Sequence, residues 1–242
     1  MIGILGFSGN AIAQKDQSVT DIFNIHLNVK NMHLWHGFVV TPGVMLASSI
    51  EYKSADDKFI AGLWGGASFN GSYKEFSYYT KYNFTKSFNV SLISHNNYSN
   101  SDTIDIFSYD KETSPNFVDI VLEYTPSNDI PLTLYWSTIL FGNAQDYETG
   151  IDGTLTDSYS TYVEVRHKLL HKKETKLTAF AGGAFSLVTD KTFYSEDAAF
   201  TNFGLLLNKD IKLFSQKIPV AATAMWNLET KVGALQIDIA LF

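Results

Sequence analysis

The chain has 242 residues, of which 45% are hydrophobic, 14% aromatic and only 18% charged, and its net charge is −7. That balance argues against nucleic acid as a partner, because backbone binding needs a basic surface. The absence of cysteine excludes disulfides, thiolate catalysis and cysteine metal sites, and no run of about 18 apolar residues can cross a bilayer as a helix.

The first residues read MIGILGFSGNAIAQ. A short apolar stretch runs into Ala11-Ile12-Ala13, a small-x-small pattern of the kind cleaved in secreted proteins. Residues 1–14 are therefore expected to be a truncated signal peptide, and 15–242 a single domain.

Helical periodicity is almost absent beyond that point. Runs of about ten residues alternate in polarity between turn-rich stretches. They predict strands over about 20–35, 44–54, 58–69, 73–84, 87–98, 117–125, 132–142, 158–170, 175–188, 200–212, 218–228 and 231–242. The first sets Phe23, Ile25, Leu27 and Val29 against Asn24, His26, Asn28 and Lys30. The fourth sets Phe76, Tyr78, Tyr82 and Phe84 against Glu75, Ser77, Lys81 and Asn83. The sixth opposes Val118, Ile120, Leu122 and Tyr124 to Asp119 and Glu123. The eighth opposes Tyr159, Val163, Val165 and Leu169 to Ser160, Glu164, Arg166 and Lys168.

A soluble sandwich and a transmembrane barrel both fit this alternation, with the apolar face inward in one and toward lipid in the other. The connections separate them. Gaps after even-numbered strands are short, whereas those after the fifth, seventh and ninth are long. Short turns at one rim and long loops at the other are the pattern of an outer-membrane barrel. The expected fold is thus all-β, a closed antiparallel transmembrane barrel of about twelve strands. An unpaired backbone group in hydrocarbon costs several kcal/mol, so the last strand is expected to pair with the first. Trp35, Tyr73, Phe84, Phe88, Tyr124, Trp136, Tyr159 and Trp226 fall near strand ends and are candidates for an aromatic girdle.

Leu34-Trp35-His36-Gly37, then IAGLWGGASF (residues 60–69), then Glu75-Phe76-Ser77-Tyr78-Tyr79 occur in an order that resembles the TorF-like family of bacterial outer-membrane porins. FVDIVLEYTP and STYVEVRHKL followed by LTAFAGGAF resemble later hairpins of that family. The likeness runs over residues 30–190, with His36 standing where the family favours arginine. The resemblance implies a barrel and a channel role.

Catalytic chemistry finds little footing. None of the six histidines has a serine two positions on, the spacing that sets base and nucleophile together on a strand. His95 with Ser99 is the nearest approach. Asp102, Asp105, Asp146 and Asp152 leave a loop-sited hydrolase as a third-ranked alternative. No HExxH or phosphate loop occurs, and His33 and His36 sit three apart near a strand end, a spacing that on a strand would put them on opposite faces. No catalytic residue, metal ligand or cofactor is assigned.

Charge placement says more. The long loops carry Asp102, Asp105, Asp110, Asp146, Glu148 and Asp152 among their acids, a candidate acidic mouth that would concentrate cations. Glu51, Lys53, Glu75, Lys81, Asp119, Glu123, Glu164, Arg166, Lys168 and Asp238 are the candidate lumen-lining residues. The expected function is a porin-like passive channel for small polar solutes, cation-preferring if the mouth sets selectivity. The alternative is a structural or accessory barrel of a larger envelope assembly, its lumen plugged by side chains. Expected partners are membrane lipid and lipopolysaccharide, the outer-membrane assembly machinery through the C-terminal strand, and envelope proteins. Expected localisation is the outer membrane of a Gram-negative bacterium, loops extracellular and termini periplasmic.

Overall fold

A computed structural model describes residues 22–127, 129–142 and 145–242. The expected signal segment, 1–14, lies outside the described residues. The strands are β1 (Phe23–Lys30), β2 (His33–Trp35), β3 (Phe38–Thr41), β4 (Met45–Lys53), β5 (Phe59–Ser68), β6 (Lys74–Asn83), β7 (Phe88–His95) and β8 (Phe117–Tyr124), followed by β9 (Leu132–Gly142), β10 (Tyr147–Thr149), β11 (Leu155–Asp157), β12 (Thr161–Lys172), β13 (Thr175–Phe185), β14 (Ala199–Leu213), β15 (Gln216–Asn227) and β16 (Val232–Ala240). The twelve longer ones form a closed antiparallel barrel in the order β1-β16-β15-β14-β13-β12-β9-β8-β7-β6-β5-β4.

The seam joins β1 to β16 through Asn28↔Ala240, Val29↔Ile239 and Lys30↔Asp238. Leu241 N–H then donates to Leu27 O at 2.8 Å, and Leu27 N–H to Phe242 O at 2.9 Å. Closure leaves no open sheet edge, the demand that the alternation pattern placed on this fold.

The two faces differ as the sequence expects. Ile25 (59% exposed), Leu63, Leu92, Val165 and Leu235 stand on the outside, whereas Glu51, Asp119 (1%) and Glu164 (6%) are buried inside. This is the reverse of a soluble sheet, in which apolar side chains are covered and charges meet water. Two apolar clusters fill the interior. One holds Met45, Ala47, Trp64, Tyr73, Tyr79, Ile93 and Val121; the other holds Tyr162, Ala184 and Tyr194, packed by Trp35, Phe38, Tyr135 and Phe193.

The first predicted strand is too long. It ends at Lys30, and His33–Thr41 form the separate β2–β3 hairpin. Asn31 makes the break: its amide donates to Leu235 O at 3.0 Å and its carbonyl accepts from Ile237 N–H at 2.7 Å. The side chain thereby stands in for backbone partners at the seam, and the main chain is free to turn away. His36 (φ 45°) and Gly37 (φ 92°) are the two residues at the hairpin tip. Positive φ at both is the signature of the tight turn that matches strand twist, and the second position favours glycine.

Candidate functional site: the filled lumen

The β2–β3 hairpin folds into the barrel and reaches wall strands around its circumference. His33 stacks on Trp64 of β5 and lies against Tyr73. Trp35 meets His95 of β7, Phe117 of β8, and Phe193 and Tyr194 of the loop after β13. His36 stacks on Tyr162 of β12, its Nδ1 2.8 Å from the Tyr194 hydroxyl and its Nε2 3.2 Å from that of Tyr135 on β9. A neutral imidazole has one donor and one acceptor nitrogen, and two hydroxyls can satisfy either tautomer. On the opposite wall, Leu34 N–H donates to Gln236 Oε1 of β16, and the Asn227 amide of β15 donates to Gly37 O. A Cβ at position 37 would come within 3.0 Å of Thr201 O, so close approach as well as φ calls for glycine.

Beneath the hairpin lies a belt of paired charges. His95 sits between two carboxylates, with Nδ1 3.4 Å from Glu75 Oε1 and Nε2 3.4 Å from Asp119 Oδ2. Glu75 also accepts from Tyr73 and Ser77, and Asp119 from Ser137. Arg166 bonds Glu164 through Nε at 2.6 Å and Glu123 through Nη1 at 3.2 Å, and lies over the Tyr135 ring. Lys30 pairs with Asp238, and Glu51 accepts from Tyr79. Buried charges need such partners, because an unpaired one carries the full desolvation penalty.

Below the belt, toward the short-turn rim, a cavity of about 450 Å³ opens, lined by Trp35, Lys81, Asp119, Glu123, Arg166, Lys168, Lys176 and Asn208, among others. A smaller cavity of about 100 Å³ lies between the hairpin and the β13–β16 wall.

All ten lumen-lining candidates lie on inward-facing strand positions. Most are held in pairs, although Lys53 pairs only with exposed Asp57 and Lys168 is exposed near the short-turn rim. Among the girdle candidates, Phe84, Tyr124, Trp136 and Trp226 are exposed on the outside, and Phe88 is half-buried against Phe84. Three differ from expectation. Trp35 belongs to the hairpin and packs inside. Tyr73 is buried beneath His33, its hydroxyl on Glu75. Tyr159 lies in the connection before β12 with φ 51°, two residues short of any strand.

Among the acidic-mouth candidates, Asp102, Asp105, Asp110 and Asp152 are exposed. Asp105, Asp110 and Asp152 accept backbone N–H bonds within their own loops, and Asp102 lies 3.7 Å from Lys74. Glu148 accepts from Lys191 N–H. Asp146 is a correction: it is 4% exposed and takes the Ser160 N–H on both carboxylate oxygens, so it organises a loop rather than facing solvent.

Sequence reasoning missed the hairpin and its partners Tyr135, Tyr162, Phe193 and Tyr194. One signal was present: His36-Gly37 between HLW and FVV is a two-residue hairpin turn flanked by strand formers. The fold and lumen together define a class, a closed twelve-stranded antiparallel barrel with an apolar exterior and a charged interior crossed by its own hairpin.

No protein-family model matches the chain, and no curated protein matches it. Among solved structures it is similar to Wzi, described as an outer-membrane protein involved in group 1 capsule assembly in Escherichia coli and a carbohydrate-binding β-barrel. The TM-score is 0.34 at 8% identity, over 90% of this chain and 56% of that one. A likeness at that level leaves function to be argued from the barrel itself.

Proposed function

We propose that this chain is an outer-membrane β-barrel of scaffold type, with a lumen closed by the β2–β3 hairpin, rather than an open porin. Its place in a bilayer is supported by the apolar exterior, the closed seam and the aromatic residues at the strand ends. Long loops face outside and termini face the periplasm in this reading. Lipid and lipopolysaccharide surround the wall, the assembly machinery engages the last strand, and envelope proteins meet the loops.

The observation that carries closure is the placement of Trp35 and His36, whose rings join β7, β8, β9 and β12 across the interior. Such a barrel needs no catalytic machinery, and we read the role as non-enzymatic. Planar-bilayer recordings of the folded protein test closure. No steady unitary conductance is expected, and a stable open pore in the unmodified protein would overturn this reading.

A gated channel is the second reading. It is favoured by one relationship: Trp35, Arg166, Thr178 and Leu206 line both cavities, so the two spaces adjoin along the β12–β14 flank of the hairpin with only these side chains between them. Bursts of conductance under voltage, lengthened by variants that loosen the hairpin, would favour it.

A further inference from the structure

The belt of ion pairs uses up most of the interior charge, but not all. In the larger cavity, Asp119 is engaged by His95 and Ser137, and Glu123 by Arg166. Lys81 of β6, Lys168 of β12 and Lys176 of β13 line the same space. Their ammonium groups have no ion pair or side-chain hydrogen bond among the described residues. Three lysines without an ion pair among the described residues therefore line one cavity, Lys81 half-buried and Lys168 and Lys176 exposed at its short-turn mouth. Asn208 lines it too, and its side-chain carbonyl, like Asp119 Oδ1, is a buried acceptor without a partner among the described residues, so the lysines and not these oxygens meet an anion.

We infer that this cup is a binding site for a small soluble multivalent anion carrying phosphate or carboxylate groups. Like charges around one cavity mouth repel one another, and an anion shared among them offsets that repulsion. The volume of about 450 Å³ falls in the range of small-molecule sites. Arg166 at the floor adds planar donors that suit either oxyanion, although Glu123 and Glu164 already share it. Trp35 closes the cup on the hairpin side, so a ligand enters from the short-turn rim. The acidic long loops stand at the opposite rim, which gives the barrel two ends of opposite sign. The cation preference expected from those loops does not extend to this cavity.

The test is calorimetric titration of the folded barrel in non-ionic detergent at fixed ionic strength, with inorganic pyrophosphate and citrate as separate probes. One saturable site is expected for at least one of them; the stronger probe identifies phosphate or carboxylate chemistry. The combined variant Lys81→Gln, Lys168→Gln, Lys176→Gln is expected to bind at least about tenfold more weakly, because charge-assisted contacts dominate such a site. The variant Lys209→Gln, Lys212→Gln, changed at the same rim but outside the cavity lining, is expected to bind as the parent does. Absence of saturable binding with both probes would overturn the inference. So would full affinity in the triple variant, or an equal loss in the rim control. The outcome is independent of bilayer conductance, so failure of the closed-lumen reading is read separately.

Discussion

The His36 imidazole lies face to face with the Tyr162 ring, centroids 4.1 Å apart and planes 14° apart, while its two nitrogens meet the hydroxyls of Tyr194 and Tyr135. One side chain at the tip of a hairpin thus ties together β9, β12 and the loop after β13. His36→Ala removes the stack and both hydrogen bonds. The expected loss is about 2–3 kcal/mol of hairpin docking, from the usual worth of one aromatic pair and two buried hydrogen bonds. Amides of residues 33–41 should exchange with solvent far faster while the wall strands stay protected. Uniform loosening of wall and hairpin together would show that the hairpin is not a separable plug.

Arg166 is the only arginine in the chain, and it neutralises two carboxylates at once. Arg166→Met keeps much of the volume and leaves buried Glu164 and half-buried Glu123 without their cation. Breaking a buried pair by deleting one partner costs about 3–5 kcal/mol. The unfolding midpoint in urea should fall accordingly, and Glu164→Gln in the same background should recover part of it. No recovery would mean that Arg166 acts mainly by packing on Tyr135.

Val165, next to Arg166 in β12, faces outward and is 47% exposed. In hydrocarbon, Val165→Arg should lower the free energy of folding into phospholipid vesicles by about 2–4 kcal/mol, the cost of arginine near a bilayer midplane. On a water-facing wall the same change would cost less than about 0.5 kcal/mol. The small value would refute the membrane orientation directly.

Burial pushes the Asp146 carboxyl above its ordinary range, while the Ser160 N–H and hydroxyl pull it back. An unfolded aspartate titrates near about 3.9, so as pH rises the unfolded chain releases this proton first. The stability that Asp146 contributes is therefore complete below that value, and is lost as pH climbs through the raised folded value. Asp146→Asn keeps an acceptor for Ser160 and removes the titration. Across this window the variant's unfolding midpoint should vary less steeply with pH than the parent's. Identical slopes would show that the loop does not feel the proton.

His36-Gly37 serves here as the hairpin tip within the lumen, with Trp35 the last residue of β2. An imidazole at this tip can accept as well as donate a hydrogen bond, so it suits the two facing tyrosine hydroxyls as an arginine could not.

Alternation of polarity determined most of the architecture. Period-two runs such as Val163–Lys168 fix which side chains share a face, and strand boundaries agree with the structure to within a few residues outside the N-terminal strand. Short and long connections determined which rim carries the loops, because a two-residue turn such as Lys173-Glu174 can join only adjacent antiparallel strands. Alternation cannot report where a strand leaves the wall. His33 and Trp35 continue the parity of Val29, and only the Asn31 contacts to Leu235 and Ile237 across the closed seam show that the chain turns inward there. The pairing of charges was hidden for the same reason: Arg166 and Glu123 lie 43 residues apart on strands separated by β9. A local pattern sets which way a side chain points, but which group it meets across the interior is set by closure of the whole sheet.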